Sequence, residues 1–159
     1  MIITLDLNGK EETLDIDPSL RLIHLLRNTF GLLGTKEGCL HGHCGYCLVF
    51  LNDQLVLSCL TPAFSTHRGK VVTIEGFRGT PEFYDIEKGF LEVQYTPCGF
   101  CASARVLLTH AILQETLYPT EQMIRKRFTA ILCRCTDPSR LVEAVQHAAT
   151  IRRHRQHAV

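Results

Sequence analysis

Short stretches of alternating apolar and polar residues occupy the first half of the chain. Residues 2–7 alternate in this way, Asn8-Gly9 follows, and the alternation resumes over residues 12–16. An Asn-Gly pair between two alternating runs is the strongest short-range signal for a β-hairpin. The apolar runs at residues 48–51 and 55–57, on either side of a polar turn, predict a second hairpin.

One helix and a further strand are predicted beside these hairpins. Asp17-Pro18-Ser19 offers a cap and a first-turn proline, the apolar residues at positions 22–26 share one helical face, and Gly31 follows. This pattern predicts a helix of about ten residues. Residues 71–74 predict a fifth strand, so that five strands and one helix complete an N-terminal domain, residues 1–76.

The pattern changes to helical spacing beyond a linker that we place near residues 76–82, where glycine and proline interrupt the chain. Apolar residues recur at helical spacing in four segments, which are residues 86–93, 106–113, 123–131 and 141–149. We interpret these apolar stripes as the core of a helical domain, residues 82–152.

The sequence ends in the basic stretch IRRHRQHAV, which contains three arginines and two histidines. Short charged termini are usually solvated, so we expect residues 153–159 to form a frayed basic tail. Docking of this tail on an acidic partner is the alternative.

Composition narrows the class of protein. The 159 residues are 45% hydrophobic and carry a formal net charge of +1, which is normal for a globular protein and gives no strong attraction to nucleic acid or membrane. The first residues lack the basic start and long apolar run of a secretory signal. We therefore expect a cytoplasmic protein, in which thiols stay reduced and clustered cysteines hold metal more often than they form disulfides.

The eight cysteines form two groups of four, one in each half of the chain. In the first group, Cys39-x4-Cys44-x2-Cys47 is followed at a distance by Cys59, which is the plant-type spacing for a [2Fe–2S] cluster. The loop also contains Gly38, Gly42 and Gly45. We expect these glycines to take positive φ angles, so that backbone N–H groups turn toward an anionic cluster.

Zinc, a Rieske cluster and disulfide bonds are the alternatives at this loop. Four-cysteine zinc sites usually combine two short C-x2–4-C pairs, which the triple run does not resemble. A Rieske cluster needs two histidines on one iron, and no second Cys/His pair follows Cys39-Leu40-His41. We therefore interpret His41 and His43 as loop residues rather than ligands.

The second group is Cys98-x2-Cys101 and, further along the chain, Cys133-Arg134-Cys135. Taken alone, the first pair fits a redox dithiol or half of a zinc site, and the second pair is too closely spaced for most zinc knuckles. Because a plant-type group precedes them and no cysteine is left over, the simplest interpretation is two clusters, each with four thiolate ligands.

The order of these motifs, GCLHGHCGYC, Cys59, PCGFC and LCRCT, resembles the two-cluster iron–sulfur subunit of the xanthine dehydrogenase, or molybdenum hydroxylase, family. The resemblance implies an α+β protein. Its N-terminal domain would be a β-grasp, ferredoxin-like fold that holds the first [2Fe–2S] cluster through Cys39, Cys44, Cys47 and Cys59. A C-terminal four-helix bundle would hold the second through Cys98, Cys101, Cys133 and Cys135.

In this family the substrate is hydroxylated in a large molybdopterin-binding subunit, and a medium subunit usually binds FAD. The resemblance therefore implies an electron-transfer subunit of an oxidoreductase complex, which relays electrons one at a time between these partners. The chain shows no nucleotide-binding motif, so we expect no substrate, flavin or catalytic site of its own. A free-standing two-cluster ferredoxin and a zinc-stapled interaction module are the alternative functions.

The chain departs from the family pattern in four places. Pro97 stands where a glutamine commonly contacts the pterin, and Ala102-Ser103-Ala104 replaces Thr-Pro-Gly. Asp137-Pro138 replaces Gly-Tyr, and Tyr46 replaces a common alanine in the first cluster loop. The resemblance therefore supports cluster binding more than it supports any specific pterin contact.

Overall fold

The computed structural model describes residues 1–158. Their N-terminal part forms a mixed five-stranded sheet in the strand order β2-β1-β5-β3-β4. The strands are β1 (Ile2–Leu7), β2 (Lys10–Asp15), β3 (Leu48–Leu51), β4 (Gln54–Leu57) and β5 (Lys70–Val72). Both predicted hairpins are confirmed, and the fifth strand is present slightly earlier in the chain than predicted.

The last strand of the sheet, β5, lies at its centre. It pairs in parallel with β1, where Asp6 faces Lys70 and Leu7 faces Val71, and it pairs antiparallel with β3. Within the sheet of the described residues, the first hairpin is therefore connected to the second only through β5. β5 therefore completes the sheet of the N-terminal half.

The predicted N-terminal helix is shorter and begins later than expected. α1 (Leu22–His24) continues directly into a π-helical stretch, Leu25–Thr29, after which Phe30 N donates to the carbonyl five residues earlier. The segment that we expected to start the helix forms a turn instead, because the Asp17 carboxylate accepts from the N–H and the hydroxyl of Ser19, at 2.7 and 2.6 Å. The apolar face is buried, as the pattern predicted.

The predicted linker is largely helical. α2 (Ile74–Phe77) occupies its first part, and both terminal side chains of this helix are buried in the core of the helical half. Thr80 then caps the next helix by accepting from Phe83 N at 3.1 Å, and Pro81 takes a first-turn position. Buried apolar contacts therefore order part of the segment that we predicted, from its glycines and proline, to be a linker.

Four longer helices complete the described chain, and each overlaps one of the predicted apolar segments. They are α3 (Pro81–Glu92), α4 (Ala102–Glu115), α5 (Glu121–Phe128) and α6 (Pro138–His157). Leu48 and Phe50 of β3 belong to the same core cluster as these helices, so the two halves share a packed boundary. None of the helices within residues 1–158 is both long and apolar enough to cross a membrane.

α6 extends through most of the predicted tail. Arg152 is only 3% exposed and forms an ion pair with the buried Asp85 of α3, its Nε lying 3.1 Å from Oδ2. Arg155 reaches Asp85 at 2.8 Å and Glu82 at 3.0 Å. The expectation of a frayed tail is therefore wrong up to His157, while Val159 lies outside the described residues.

Candidate metal centres

The first group of cysteines lies on the loop before β3, with Cys59 following β4. Backbone N–H groups of His41, His43 and Cys44 donate to Cys39 Sγ at 3.4, 3.2 and 3.3 Å. These hydrogen bonds, above all the one from His41, lower the pKa of Cys39 to about 6. The side chains of both histidines are exposed. The loop thus favours a negatively charged sulfur, which is the form that binds iron.

Two of the three loop glycines take the positive φ angles that we expected. Gly42 has a φ of 79° and Gly45 a φ of 76°, in the region that favours glycine. The same expectation is wrong for Gly38, whose φ is not positive. Gly38 is required by space instead, because a Cβ there would lie 2.8 Å from Cys44 Sγ and 2.7 Å from the Tyr46 ring.

Cys47 and Cys59 form the buried end of the first group. Each is 2% exposed, and both pack with Ile23. Ser58 holds this end together, since its N–H and hydroxyl donate to Cys47 O at 3.1 and 2.7 Å. Burial raises the pKa of Cys47 to about 12, so a thiolate at this position needs a positive charge beside it. The iron of a cluster would supply that charge.

The second group surrounds a cavity of about 560 Å³, lined by Cys98, Cys101, Cys133 and Cys135. The Sγ atoms of Cys98 and Cys101 lie 3.6 Å apart, and those of Cys101 and Cys133 lie 3.8 Å apart. Cys135 N donates to Cys133 Sγ at 3.4 Å. This cavity has room for a cluster of two irons and two sulfides between the four cysteines.

Among residues 1–158, no three histidine, cysteine, aspartate or glutamate side chains converge on a point that could hold a single metal ion. A [2Fe–2S] cluster does not need such a point, because each of its irons takes two thiolates and shares two sulfides with the other. A structural zinc ion needs four donors around one centre.

A buried arginine and several hydrogen bonds act on the second group. Burial raises the pKa of Cys133, but hydrogen bonds from Thr136 and Cys135 and the charge of Arg105 outweigh it and lower the pKa to about 6. Arg105 is 5% exposed in α4, and sequence reasoning missed it. The signal that could have found it is a charge placed at the start of an apolar helical run.

The two groups lie on loops that contact each other. Leu132 N, beside the second group, donates to Cys44 O of the first at 3.0 Å. The Tyr46 ring meets Phe100 edge to face, with centroids 5.0 Å apart at 89°, and it lines the cavity of the second group. Tyr46, which departs from the family pattern, therefore belongs to both sites.

We expect Tyr46→Ala to lower the apparent free energy of unfolding by about 2 kcal/mol, because it removes a half-buried ring and its contact with Phe100. Tyr46→Phe keeps the ring and should stay within about 0.5 kcal/mol of the wild type. Urea denaturation of the cluster-loaded protein, followed by circular dichroism, measures both variants. Equal stability of the alanine variant and the wild type would show that this contact contributes little.

Comparison with known proteins identifies both halves. Residues 5–70 match the family described as "2Fe-2S iron-sulfur cluster binding domain", and residues 73–146 match the family described as "[2Fe-2S] binding domain". The small FeS subunit of nicotinate dehydrogenase from Eubacterium barkeri is 35% identical over 92% of this chain and 93% of its own length. Xanthine dehydrogenase/oxidase from Mus musculus is 35% identical over 81% of this chain and 10% of its own length.

A solved structure agrees with these matches. In the crystal structure of quinoline 2-oxidoreductase from Pseudomonas putida 86, one chain superposes with a TM-score of 0.88 at 30% identity, covering 100% of this chain and 98% of that one. The mixed α+β fold, the ferredoxin-like N-terminal domain and the two [2Fe–2S] clusters as cofactors are thereby confirmed. The chain belongs to the two-[2Fe–2S] iron–sulfur subunits of the xanthine dehydrogenase, or molybdenum hydroxylase, family.

Proposed function

We propose that this chain relays electrons, one at a time, from a molybdopterin-containing subunit that oxidises the substrate to a flavin subunit or another acceptor. The observation that carries the proposal is the contact between the two cysteine loops, where Leu132 N donates to Cys44 O at 3.0 Å. Clusters held on touching loops are suited to pass an electron from one to the other. The chain contributes this relay and no substrate chemistry, so we assign it no catalytic residue.

In this proposal each cluster has four thiolate ligands. The first is held by Cys39, Cys44, Cys47 and Cys59, and the second by Cys98, Cys101, Cys133 and Cys135. When bound, each cluster takes up and releases one electron. The chain's own part is to stabilise negative sulfur, through the N–H groups around Cys39 and through the hydroxyl of Thr136, which lies 3.6 Å from Cys133 Sγ.

We assign the first cluster to a domain of residues 1–76 and the second to a domain of residues 82–152, in which α3 to α6 form a four-helix bundle. One fully buried residue from each helix supports the bundle, since all four belong to one core cluster. They are Ile86, Ile112, Ile124 and Val145. The basic residues 153–157 continue the last helix of this domain.

A molybdopterin-binding large subunit and an FAD-binding medium subunit are the proposed partners, and we place the complex in the cytoplasm. Apolar side chains stay exposed beside both cysteine groups. Phe100 is 48% and Leu132 54% exposed at the second cavity, while Leu60 is 58% exposed where it approaches Gly42 of the first loop. A subunit exposes such residues where a partner covers them, which favours a subunit over a free-standing ferredoxin. Neither nucleic acid nor a membrane is among the proposed partners.

Anaerobic reconstitution tests the ligand sets. The purified protein should hold about four irons and show two distinguishable [2Fe–2S] EPR signals on reduction. Cys59→Ala should remove only the first cluster's signal and Cys135→Ala only the second's, so that each variant is the control for the other. Bound zinc without visible absorbance would contradict the proposal and favour the zinc-stapled module.

Co-purification from the native host tests the complex. We expect the chain to be recovered with a molybdenum-containing protein and a flavin-containing protein. Recovery as a lone, redox-active monomer would instead support the free-standing ferredoxin.

A further inference from the structure

In the part of the chain that the structure describes, a buried positive charge lies beside the second cysteine group without a carboxylate to balance it. Arg105 is 5% exposed, and its guanidinium carbon lies 5.9 Å from the centroid of the Tyr95 ring and 5.7 Å from that of Phe128. Within residues 1–158, no aspartate or glutamate forms an ion pair with it, and its buried Nε has no hydrogen-bond partner. A buried charge in this state is costly.

Arg152 shows a different arrangement in the same fold. It is 3% exposed, and its Nε lies 3.1 Å from Asp85 Oδ2. Its Nη2 also donates to Glu82 O at 3.0 Å. The charge of Arg152 is therefore balanced by a carboxylate of this chain, whereas the groups that face Arg105 are an aromatic hydroxyl and thiols.

A line of polar atoms joins Arg105 to the sulfur of Cys133. Arg105 Nη1 donates to the Tyr95 hydroxyl, which lies 3.5 Å from Thr136 Oγ1. That oxygen in turn lies 3.6 Å from Cys133 Sγ. Burial lowers the pKa of Arg105, but the opposing effects of Tyr95, Cys133 and Cys101 outweigh it and raise the pKa above its ordinary value.

We propose that Arg105 is the internal counter-charge of the second [2Fe–2S] cluster and raises its reduction potential. This inference rests on the proposed function, because it takes the second group of cysteines as the cluster ligands. Reduction moves one electron from the reduced molybdenum-containing partner to the cluster, and no proton accompanies it, so the cluster becomes one unit more negative. A fixed positive charge in a poorly solvated site stabilises that state more than the oxidised one.

Tyr95 is a positioning residue in this arrangement. Its ring packs edge to face on Phe90, with centroids 5.0 Å apart at 90°, and is 4% exposed. The ring is therefore held in place, and its hydroxyl accepts from the guanidinium on one side while facing Thr136 on the other. The contact fixes the guanidinium beside the sulfurs.

The test is a redox titration of the full chain with both clusters, monitored by EPR. The second cluster's signal is assigned by its loss in Cys135→Ala. Arg105→Met and Arg105→Gln remove the charge, whereas Arg105→Lys keeps it. Arg140→Met is the matched control, because it removes an exposed positive charge a few residues after the last cysteine.

We expect each neutral variant to lower the ratio of reduced to oxidised second cluster at a fixed potential by about tenfold or more, which is about 59 mV for a one-electron couple. The first cluster's midpoint should not change. Arg105→Lys and Arg140→Met should stay within about threefold of the wild type, since the first keeps the charge and the second removes a charge that water screens. An unchanged second-cluster potential in a loaded neutral variant, or an equal shift in Arg140→Met, overturns the inference.

Iron content and circular dichroism separate a folding defect from a change in potential. If both neutral variants lose the second cluster while Arg105→Lys retains it, the counter-charge is supported, because the charge then decides binding. If Arg105→Lys loses the cluster as well, Arg105 is a packing residue and the inference is overturned. A wild-type protein without two [2Fe–2S] signals contradicts the proposed function itself, and this inference with it.

Discussion

Gly45→Ala is expected to destabilise the protein by about 3 kcal/mol or more. A Cβ at this position would lie 2.0 Å from Ala130 O, and the φ of 76° is one that alanine adopts only at a cost. The close approach occurs where the two cysteine loops meet, beside the hydrogen bond from Leu132 N to Cys44 O. We therefore expect both a loss of stability and poorer loading of the two clusters.

Gly31→Ala is the matched control. Gly31 also has a positive φ, of 66°, but within residues 1–158, apart from Gly31 and its two chain neighbours, no atom lies within 4 Å of the position that its Cβ would take. This variant should cost about 1 kcal/mol. Urea denaturation of the reconstituted proteins gives both stabilities, and iron analysis gives cluster occupancy. A Gly45 variant as stable as the Gly31 variant would show that the two loops do not depend on this contact.

Asp85→Asn should lower the free energy of unfolding by about 3 kcal/mol or more. Asp85 is 4% exposed and accepts from Arg152, itself 3% exposed, at 3.1 Å, and from Arg155 at 2.8 Å. Asparagine keeps the shape of the side chain and removes its negative charge, so the buried guanidinium is left unbalanced. Because these residues join α3 to α6, we expect the C-terminal turns of α6 to open first.

Glu121→Gln is the control for this prediction. Glu121 pairs with Arg125 at 2.7 Å on the surface of α5, where such a pair contributes about 0.5 kcal/mol or less. Thermal unfolding followed by circular dichroism compares the two variants, and amide hydrogen exchange over residues 150–157 reports on the end of α6. An Asp85 variant as stable as the Glu121 variant would mean that the buried ion pair does not anchor this helix.

Local patterns were enough to predict most elements of the fold. The alternation around Asn8-Gly9 and the helical spacing of the second half depend only on residues close in sequence, and the corresponding strands and helices are present. The cysteines of the first loop are also close in sequence, so their spacing predicted a [2Fe–2S] domain that the family match confirms. Because the eight cysteines divide into two groups of four, we extended the prediction of a [2Fe–2S] domain to the second half of the chain, and the second family match agrees with it.

Competing local interactions and distant partners account for what the sequence patterns mispredicted. Asp17 has the properties of a helix cap, but its carboxylate binds Ser19 in a turn that replaces the expected helix start. Residues 153–157 have the composition of a free charged end, yet Arg155 finds Asp85 70 residues earlier in the chain. A rule based on residues close in sequence cannot predict that ion pair.

The same limit applies within the two candidate metal centres. Ligand spacing predicted the cysteines, whereas the residues that surround them were brought there by the fold. Tyr46 meets Phe100, and Arg105 meets Tyr95, across chain separations that no motif fixes. Gly38 illustrates the difference. A glycine is needed at this position, but the reason is the nearby Cys44 sulfur and Tyr46 ring rather than a positive φ angle.

The central position of β5 delays completion of the sheet while the protein is being synthesised. While the ribosome is still making the chain, the first hairpin and β3 have no shared neighbour until Lys70–Val72 emerges. The hydrogen bond to the Cys44 carbonyl can form only after Leu132 has been translated, which happens much later. Pairing over such separations is slow, and the contact between the two cysteine loops can form only after most of the chain has been synthesised.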